Sequence, residues 1–473
     1  MSNTLVKQLF EINNCDFVAM NDVERDGRTI KQVTLKYDGP KPDCCPHCRG
    51  KMYKHGDRKV NVLDTPMTGK PVVLNITVPR YRCQNPACNY MWQPEVDNID
   101  SRRQVTNRAF VDITERSLRM TFEQVCEDYA FSPNTAKNIF LDFLNEKAEK
   151  MRFKTPCFLG IDEIKIKKIG EVTVVTDLEH HTLFDMFRGR YKERLMEYFT
   201  ALPGTENILW VCSDMYRPFE DTLKSTMPNA RWVIDHFHVV AKANEALDYV
   251  RRCVQSSLPK QSRIKTKKGL AYTLKMRYNS LSTEDQEKIR LLRQNPKMRI
   301  LADAYDLKED FFNIYDNNLQ SKDNAIAAFK AWEESISFEP EFDKFREVAD
   351  MVHRHFEAIF AWWDCPSAIS NGYTECINRL IRENNLRGRG YSFEILRGRT
   401  LYRKSNLKNL EENGLLYGPE IREYGPNFLF ENTQEEEIDF NSEEDDTIDG
   451  TYDPETGEIF EDQEPKEQEP FFF

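Results

Sequence analysis

The chain has 473 residues, 40% of them hydrophobic, and is long enough for two or three domains with a sizeable core rather than a miniature scaffold. No stretch approaches the ~18 consecutive apolar residues of a membrane span, and the start, MSNTLVKQLFEINN, lacks the basic and apolar regions of a secretory signal, so a soluble cytoplasmic protein is expected. The net charge of -12 argues against a nucleic-acid binder only until Glu431 to Phe473 is set apart: that stretch holds 18 Asp and Glu against one Lys, and the rest carries 65 Lys and Arg against 60 acids.

The folded body is therefore mildly basic. Residues 431–473 have too few apolar side chains to offset ordering entropy and are expected to form a disordered acidic tail.

Near the amino end, five of the twelve cysteines crowd into "CCPHC" (Cys44, Cys45, Cys48) and "RYRCQNPAC" (Cys83, Cys88). The segment between them alternates like a hairpin. Each pair can present two thiolates from one knuckle, and four thiolates at tetrahedral corners suit a structural Zn2+. Cys45, Cys48, Cys83 and Cys88 form the expected ligand set, with Cys44 or His47 as possible substitutes. The seven remaining cysteines sit singly and read as small core residues.

From Ser101 the period is helical, with apolar Phe110, Ile113, Leu118, Phe122, Val125 and Tyr129 on one face. A break at "AFSPN" precedes a second helix, for which Ser132 is the cap and Pro133 the first position. Helix, short turn, helix of this size matches a helix-turn-helix that would offer Lys137 and Asn138 to a DNA groove.

After Thr155 the elements follow a recognisable order. "CFLGIDEIKI", "EVTVVTDLE" and "TLFDMFRGR" read as three strands, then come a helix, the strand "NILWVCSD", a helix and the strand "ARWVIDHFHVV". This is the order of a ribonuclease-H-like mixed sheet, in which the first and fourth strands lie side by side, so Asp162 and Asp214 would face each other. Two such carboxylates are costly to bury unless a hard cation sits between them. Two ions, Mg2+ or Mn2+, would serve a phosphoryl transfer. A third acid is expected at Glu375, which shares a helical stripe with Arg379 and Arg382; the arginines would hold DNA phosphates. Asp235, which ends the fifth strand, competes for the second place; Asp235 and His238 otherwise orient site residues or cap the sheet edge. Glu163 alternates to the opposite face from Asp162 and receives no metal role.

These residues carry a resemblance. The marks "CCPHC…CQNPAC", "GIDE", "CSDMYRPF", "DHFHVV" and "SNGYTECINRLIR", spanning roughly Asp43 to Lys404, resemble the DDE transposases of bacterial insertion sequences, of the ISL-three group. The resemblance implies a zinc finger and helix-turn-helix that read element ends, and a catalytic triad at Asp162, Asp214 and Glu375. It further implies double-stranded DNA as partner, a homodimer or larger synaptic assembly, and a nucleoid-associated place in a bacterial cytoplasm. The acidic tail, and Cys376 where a small residue such as Gly is expected, depart from the pattern. A zinc-dependent DNA-binding regulator descended from a transposase is the alternative function.

The expected class is thus multidomain α+β: a strand region with a small zinc-binding β module (1–100), a helix-turn-helix (101–152), the catalytic core (153–250), an α-helical insertion (251–355), the rest of the core (356–430) and the tail (431–473). The insertion opens with nine Lys or Arg and no acid, including Lys265, Lys267 and Lys268, expected to contact phosphates. Arg387 and Arg389 belong to a second basic stretch with interleaved aromatics. Trp362 and Trp363 read as packing residues between insertion and core.

Overall fold

The computed structural model describes residues 3–25, 27–257, 269–367 and 369–417, and two short strands, Thr451–Tyr452 and Ile459–Phe460, which pair antiparallel. The chain divides into the units Met1–Leu429 and Phe430–Phe473. Most of the acidic stretch, and Lys265, Lys267 and Lys268, lie outside the described residues. Among the described residues no helix is long and apolar enough to cross a membrane.

The first unit opens with helix α1 (Asn3–Phe10) and strands β1 (Cys15–Arg25), β2 (Arg28–Tyr37), β3 (Met52–Met67), β4 (Lys70–Cys83), β5 (Met91–Trp92), β6 (Ile99–Asp100) and β7 (Val105–Thr106). They form a sheet of order β1-β2-β4-β3-β7-β6, with β5 on β4. Alternation along β2, β3 and β4 turns Val33, Leu35, Val62, Leu74 and Ile76 to one buried face. The expected hairpin is β3–β4. Its two loop residues, Thr68 and Gly69, both have left-handed φ (53° and 73°), the geometry that matches strand twist in a two-residue turn. At the far end Met52 pairs with Cys83, which brings the two cysteine knuckles to the same place.

Three helices follow: α2 (Asn107–Ser117), α3 (Phe122–Glu127) and α4 (Pro133–Lys150). The apolar period before "AFSPN" predicted one helix, and the structure divides it. Thr121 and Gln124 form a reciprocal capping box that starts a new helix. Ser132 caps α4 with Pro133 at its first turn, as expected. Ala109, Ile113, Val125, Tyr129 and Ile139 share one buried cluster.

A short strand β8 (Arg152–Phe153) leads into β9 (Phe158–Ile166), β10 (Gly170–Asp177), β11 (Thr182–Arg188), helix α5 (Lys192–Ala201), β12 (Trp210–Ser213), helix α6 (Arg217–Thr226) and β13 (Arg231–Ile234). The sheet order is β11-β10-β9-β12-β13. β9, β10 and β11 form the antiparallel meander, and β12 runs parallel to both β9 and β13. The first and fourth strands are therefore neighbours, as the element order predicted. Leu159 and Ile161 pack beneath α5 and α6 with Phe199 and Phe219. Alternation turns Gly160 and Asp162 to the other face, where the helix Gly372–Arg387 is seated on β9 and β10.

Helix α7 (His236–Ser257) begins directly after β13 and runs into a mostly helical region. Its core joins Val240 and Leu247 to Phe311, Phe329 and Phe345. Trp362 is buried with its Nε1 donating to the Ile369 carbonyl (2.9 Å), and Trp363 stacks on Tyr315 at 4.9 Å; both are packing residues. The basic stretch is less bare than its own sequence implied. Arg251 and Arg252 pair with Asp248, and Arg277 with Glu309 and Asp316, acids supplied from outside it.

Candidate metal and catalytic sites

The sulfurs of Cys45, Cys48, Cys83 and Cys88 all lie within 4.8 Å of one another. Cys45 and Cys88 are 3.7 Å apart, and Cys48 and Cys83 3.4 Å. Tetrahedral Zn–S bonds of roughly 2.3 Å place sulfurs about 3.8 Å apart, so the donor set fits Zn2+. Both knuckles are built alike: the residues after the second cysteines, Arg49 and Asn89, take left-handed φ (60° and 49°). The backbone N–H of Gly50 brings the Cys48 thiol down to about 7, whereas the Cys83 and Cys88 thiols are raised, Cys88 chiefly by loss of water, so without a cation only part of the set tends toward the thiolate a metal needs. Cys44 is exposed and outside the group; His47 Nδ1 is 3.4 Å from the Cys88 sulfur and its ring stacks on Tyr90. Of the seven cysteines read as core, Cys15, Cys126 and Cys212 are buried, whereas Cys376 is exposed.

The second site gathers at one end of the mixed sheet. Asp162 lies within β9 and is 8% exposed. Its Oδ2 accepts a 2.7 Å hydrogen bond from Asn378 Nδ2, and its Oδ1 accepts from the Glu163 N–H at 2.8 Å. Asp214 follows the last residue of β12 and accepts from the Tyr216 N–H at 3.0 Å. Asp235 follows β13 and is 0% exposed; its Oδ1 lies 3.5 Å from His236 Nδ1, and the backbone N–H groups of Phe237 and Asn371 favour its charged form, while His238 Nε2 has no hydrogen-bond partner.

Burial pushes the acidity of these groups the same way. Asp162 and Asp235 are each raised to about 6, first by loss of water, and Asp214 is raised for the same reason. Asp214 and Glu375 add repulsion to Asp162, while His238 opposes it.

Glu375 sits in the first turn of the Gly372–Arg387 helix and is exposed, as are Arg379 and Arg382 on the same stripe. Among the described residues none of the three forms an ion pair, so this is not a salt-bridged face. The structure brings Glu375 together with Asp235 and His238, whose ligand atoms lie within 4.8 Å of one another. Asp162 and Asp214 are not in that group, but Asp162 feels the charge of both Asp214 and Glu375. α7 starts where β13 ends, which carries His238 to within 4.8 Å of Glu375. Glu163 pairs with Arg190, and the pair interacts through its charges with Asp214.

Sequence reasoning missed the residues that seat the helix. Asn371 Nδ2 donates to the Ile161 carbonyl at 2.9 Å, Thr374 Oγ1 donates to Asn371 Oδ1 at 2.8 Å, and Thr374 meets Thr176 at 2.7 Å. A Cβ on Gly160 would lie 2.5 Å from both of those threonine hydroxyls, so only glycine allows this approach. Asn378 beside Ile377 and Ile381, a polar residue among the helix's apolar positions, is the signal that could have found the contact to Asp162. Lys137 is half-exposed and Asn138 exposed on α4, and Arg387 and Arg389 are exposed.

Comparison with known proteins follows from this geometry. The family model described as transposase, of the ISL3 type, matches residues 159–400, slightly over half of the chain. The chain belongs to this transposase family. A second model, the zinc-finger of transposases IS204/IS1001/IS1096/IS1165, matches residues 41–88, which include all four clustered cysteines. The transposase for insertion sequence element IS1557 of Mycobacterium tuberculosis is 28% identical over 258 residues, covering 49% of this chain and 56% of the relative. The transposase for insertion sequence element IS1001 of Bordetella parapertussis is 26% identical over 233 residues, covering 48% and 56%. The chain spans about half the length of the curated relatives it matches.

Proposed function

We propose that the chain is a divalent-metal-dependent DNA transposase that binds the terminal repeats of an insertion sequence, cuts one strand at each end and transfers the freed 3′-hydroxyl to target DNA. The β9–β13 sheet is read as the ribonuclease-H-like catalytic core, and α3 and α4 as the helix-turn-helix. The domain division set out from the sequence, and an assembly of two or more chains to join two ends, belong to the same reading.

Asp162, Asp214 and Glu375 are the proposed catalytic acids, and all three would hold Mg2+ or Mn2+. The observation that carries this is the hydrogen bond from Asn378 to Asp162, because Asn378 shares a helix with Glu375 and so ties the first acid to the third. The donors fit a hard cation: buried carboxylates whose protons are held by loss of water release them when a cation replaces it. Bound ions would activate the attacking oxygen and stabilise the leaving one. Arg379 and Arg382 hold the phosphates of the scissile strand. Asp235 and His238 are accessory groups that orient Glu375. Lys137 and Asn138 contact the element end, and Arg387 and Arg389, with Lys265, Lys267 and Lys268, contact DNA backbone.

The test is cleavage of a plasmid carrying the gene's own flanking DNA with Mg2+ or Mn2+, comparing the natural chain with Glu375→Gln. Expected are 3′-hydroxyl ends at the repeats and a loss of roughly three orders of magnitude in rate in the variant, the several kcal/mol that metal-assisted charge stabilisation supplies. No cleavage by either, with end binding kept, would replace this reading by the regulator.

A further inference from the structure

A cavity of about 410 Å³ lies between the start of α3 and the carboxyl end of the Gly372–Arg387 helix, lined by Arg119, Arg387, Arg399, Gln124 and Asn384 among others, and by no carboxylate. Arg119 and Arg387 are exposed, whereas Arg399 is 4% exposed. Among the described residues none of the three arginines has an ion-pair partner. Arg399 Nη1 donates to the Tyr391 hydroxyl at 2.6 Å and its Nη2 to the Met120 carbonyl, but its Nε is buried without a partner. Its guanidinium also lies over the Tyr391 ring at 4.6 Å, so it is held rigidly. Burial, and the neighbouring Arg387, both work against its charge.

A buried guanidinium facing two like-charged neighbours without a counter-charge is costly, and an anion with two or more oxygens removes the cost through paired N–H contacts. We infer that this cavity binds a backbone phosphate of DNA and thereby couples the α3 unit to the helix that carries Glu375. This deepens the DNA reading above and rests on it. A polymer's phosphate, rather than a small enclosed anion, fits a cavity whose mouth is flanked by two exposed arginines. The bound phosphate would bridge Arg119, which precedes α3, and Arg387, which ends the catalytic helix. DNA at the recognition unit would thus press on the element that positions the third acid.

The experiment is a salt titration of binding to a labelled duplex of the gene's flanking DNA, for the natural chain, Arg119→Gln, Arg387→Gln and the control Arg290→Gln, whose side chain pairs with Glu287 away from the cavity. A parallel arm measures inorganic phosphate binding by calorimetry. Each cavity variant is expected to lose affinity several-fold and to lower the salt slope by about one, while the control keeps both. Unchanged affinity and slope in both cavity variants would overturn the inference. A change confined to the phosphate arm would overturn the DNA assignment in favour of a free phosphate or nucleotide. If the natural chain binds no duplex, the proposed function itself fails; the phosphate arm then separately reports whether the cavity takes anions at all.

Discussion

In the zinc-ribbon module the four thiols come from two tight turns at one end of a single hairpin, whereas the acid site draws on β9, the ends of β12 and β13, and a helix whose Asn378 lies 216 residues from Asp162. The first site needs only one hairpin to be formed before its ligands meet. The second exists only after five strands and two helices have settled. On the proposed function metal would contribute differently at the two: in the module it would substitute for a core, while in the sheet it would relieve a charge that an already folded core has buried.

The largest effect is expected where the metal substitutes for the core. Cys48→Ser should abolish stoichiometric zinc and unfold the knuckles, since structural zinc is worth on the order of 10 kcal/mol. Zinc content per chain and proteolysis between residues 41 and 90 measure it; zinc retained at one ion per chain would break the comparison. The β9–β13 sheet should keep its own unfolding transition.

At the acid site the expected effect is smaller and depends on pH. Without metal, Asp162 and Asp235 keep their protons to about 6 against the ordinary 3.8. The native state therefore binds more protons than the unfolded one between those values, so these groups lower stability as pH rises through that window. The loss is on the order of 3 kcal/mol per acid at most. Denaturant unfolding at pH 5 and pH 7 should show it, Mg2+ or Mn2+ should reverse it at pH 7, and Asp235→Asn should remove part of it. A stability that rises across that window, and is indifferent to the cation, would mean that loss of water does not dominate at these acids.

The smallest effect sharpens how the helix is seated. Gly160→Ala should cost about 1–3 kcal/mol, because its Cβ would press on the hydroxyls of Thr176 and Thr374. It should also weaken cation binding, since the Glu375 helix must lift; a thermal midpoint and a cation affinity both equal to those of the natural chain would refute the contact.

Legibility followed the same division. The cysteine knuckles, the hairpin and the Ser132 cap could be read because each is specified within a few residues. The strand order was also readable, because the sheet's connections are short and alternate in period. What stayed hidden were contacts between distant elements: the Asn378 bond to Asp162, the Asn371 and Thr374 latch, and the meeting of Glu375 with Asp235 and His238. Which of two acids on neighbouring strands lies nearer a helix depends on how that helix packs, and no period in the chain records it. The acids that neutralise Arg277 escaped for the same reason, being met across a helix pair, whereas Asp248, which meets Arg251 and Arg252 one helical turn before the basic run, was within reach of the sequence.

The approach at Gly160 also constrains how this chain can change over generations. A side chain at that position meets both hydroxyls, so it becomes tolerable only after Thr176 and Thr374 have both given way; losing the Thr374 hydroxyl first strips Thr176 of its buried partner, whereas losing that of Thr176 leaves Thr374 still donating to Asn371. The three positions can therefore drift only in a restricted order, and lineages that leave glycine should carry compensating changes at both 176 and 374.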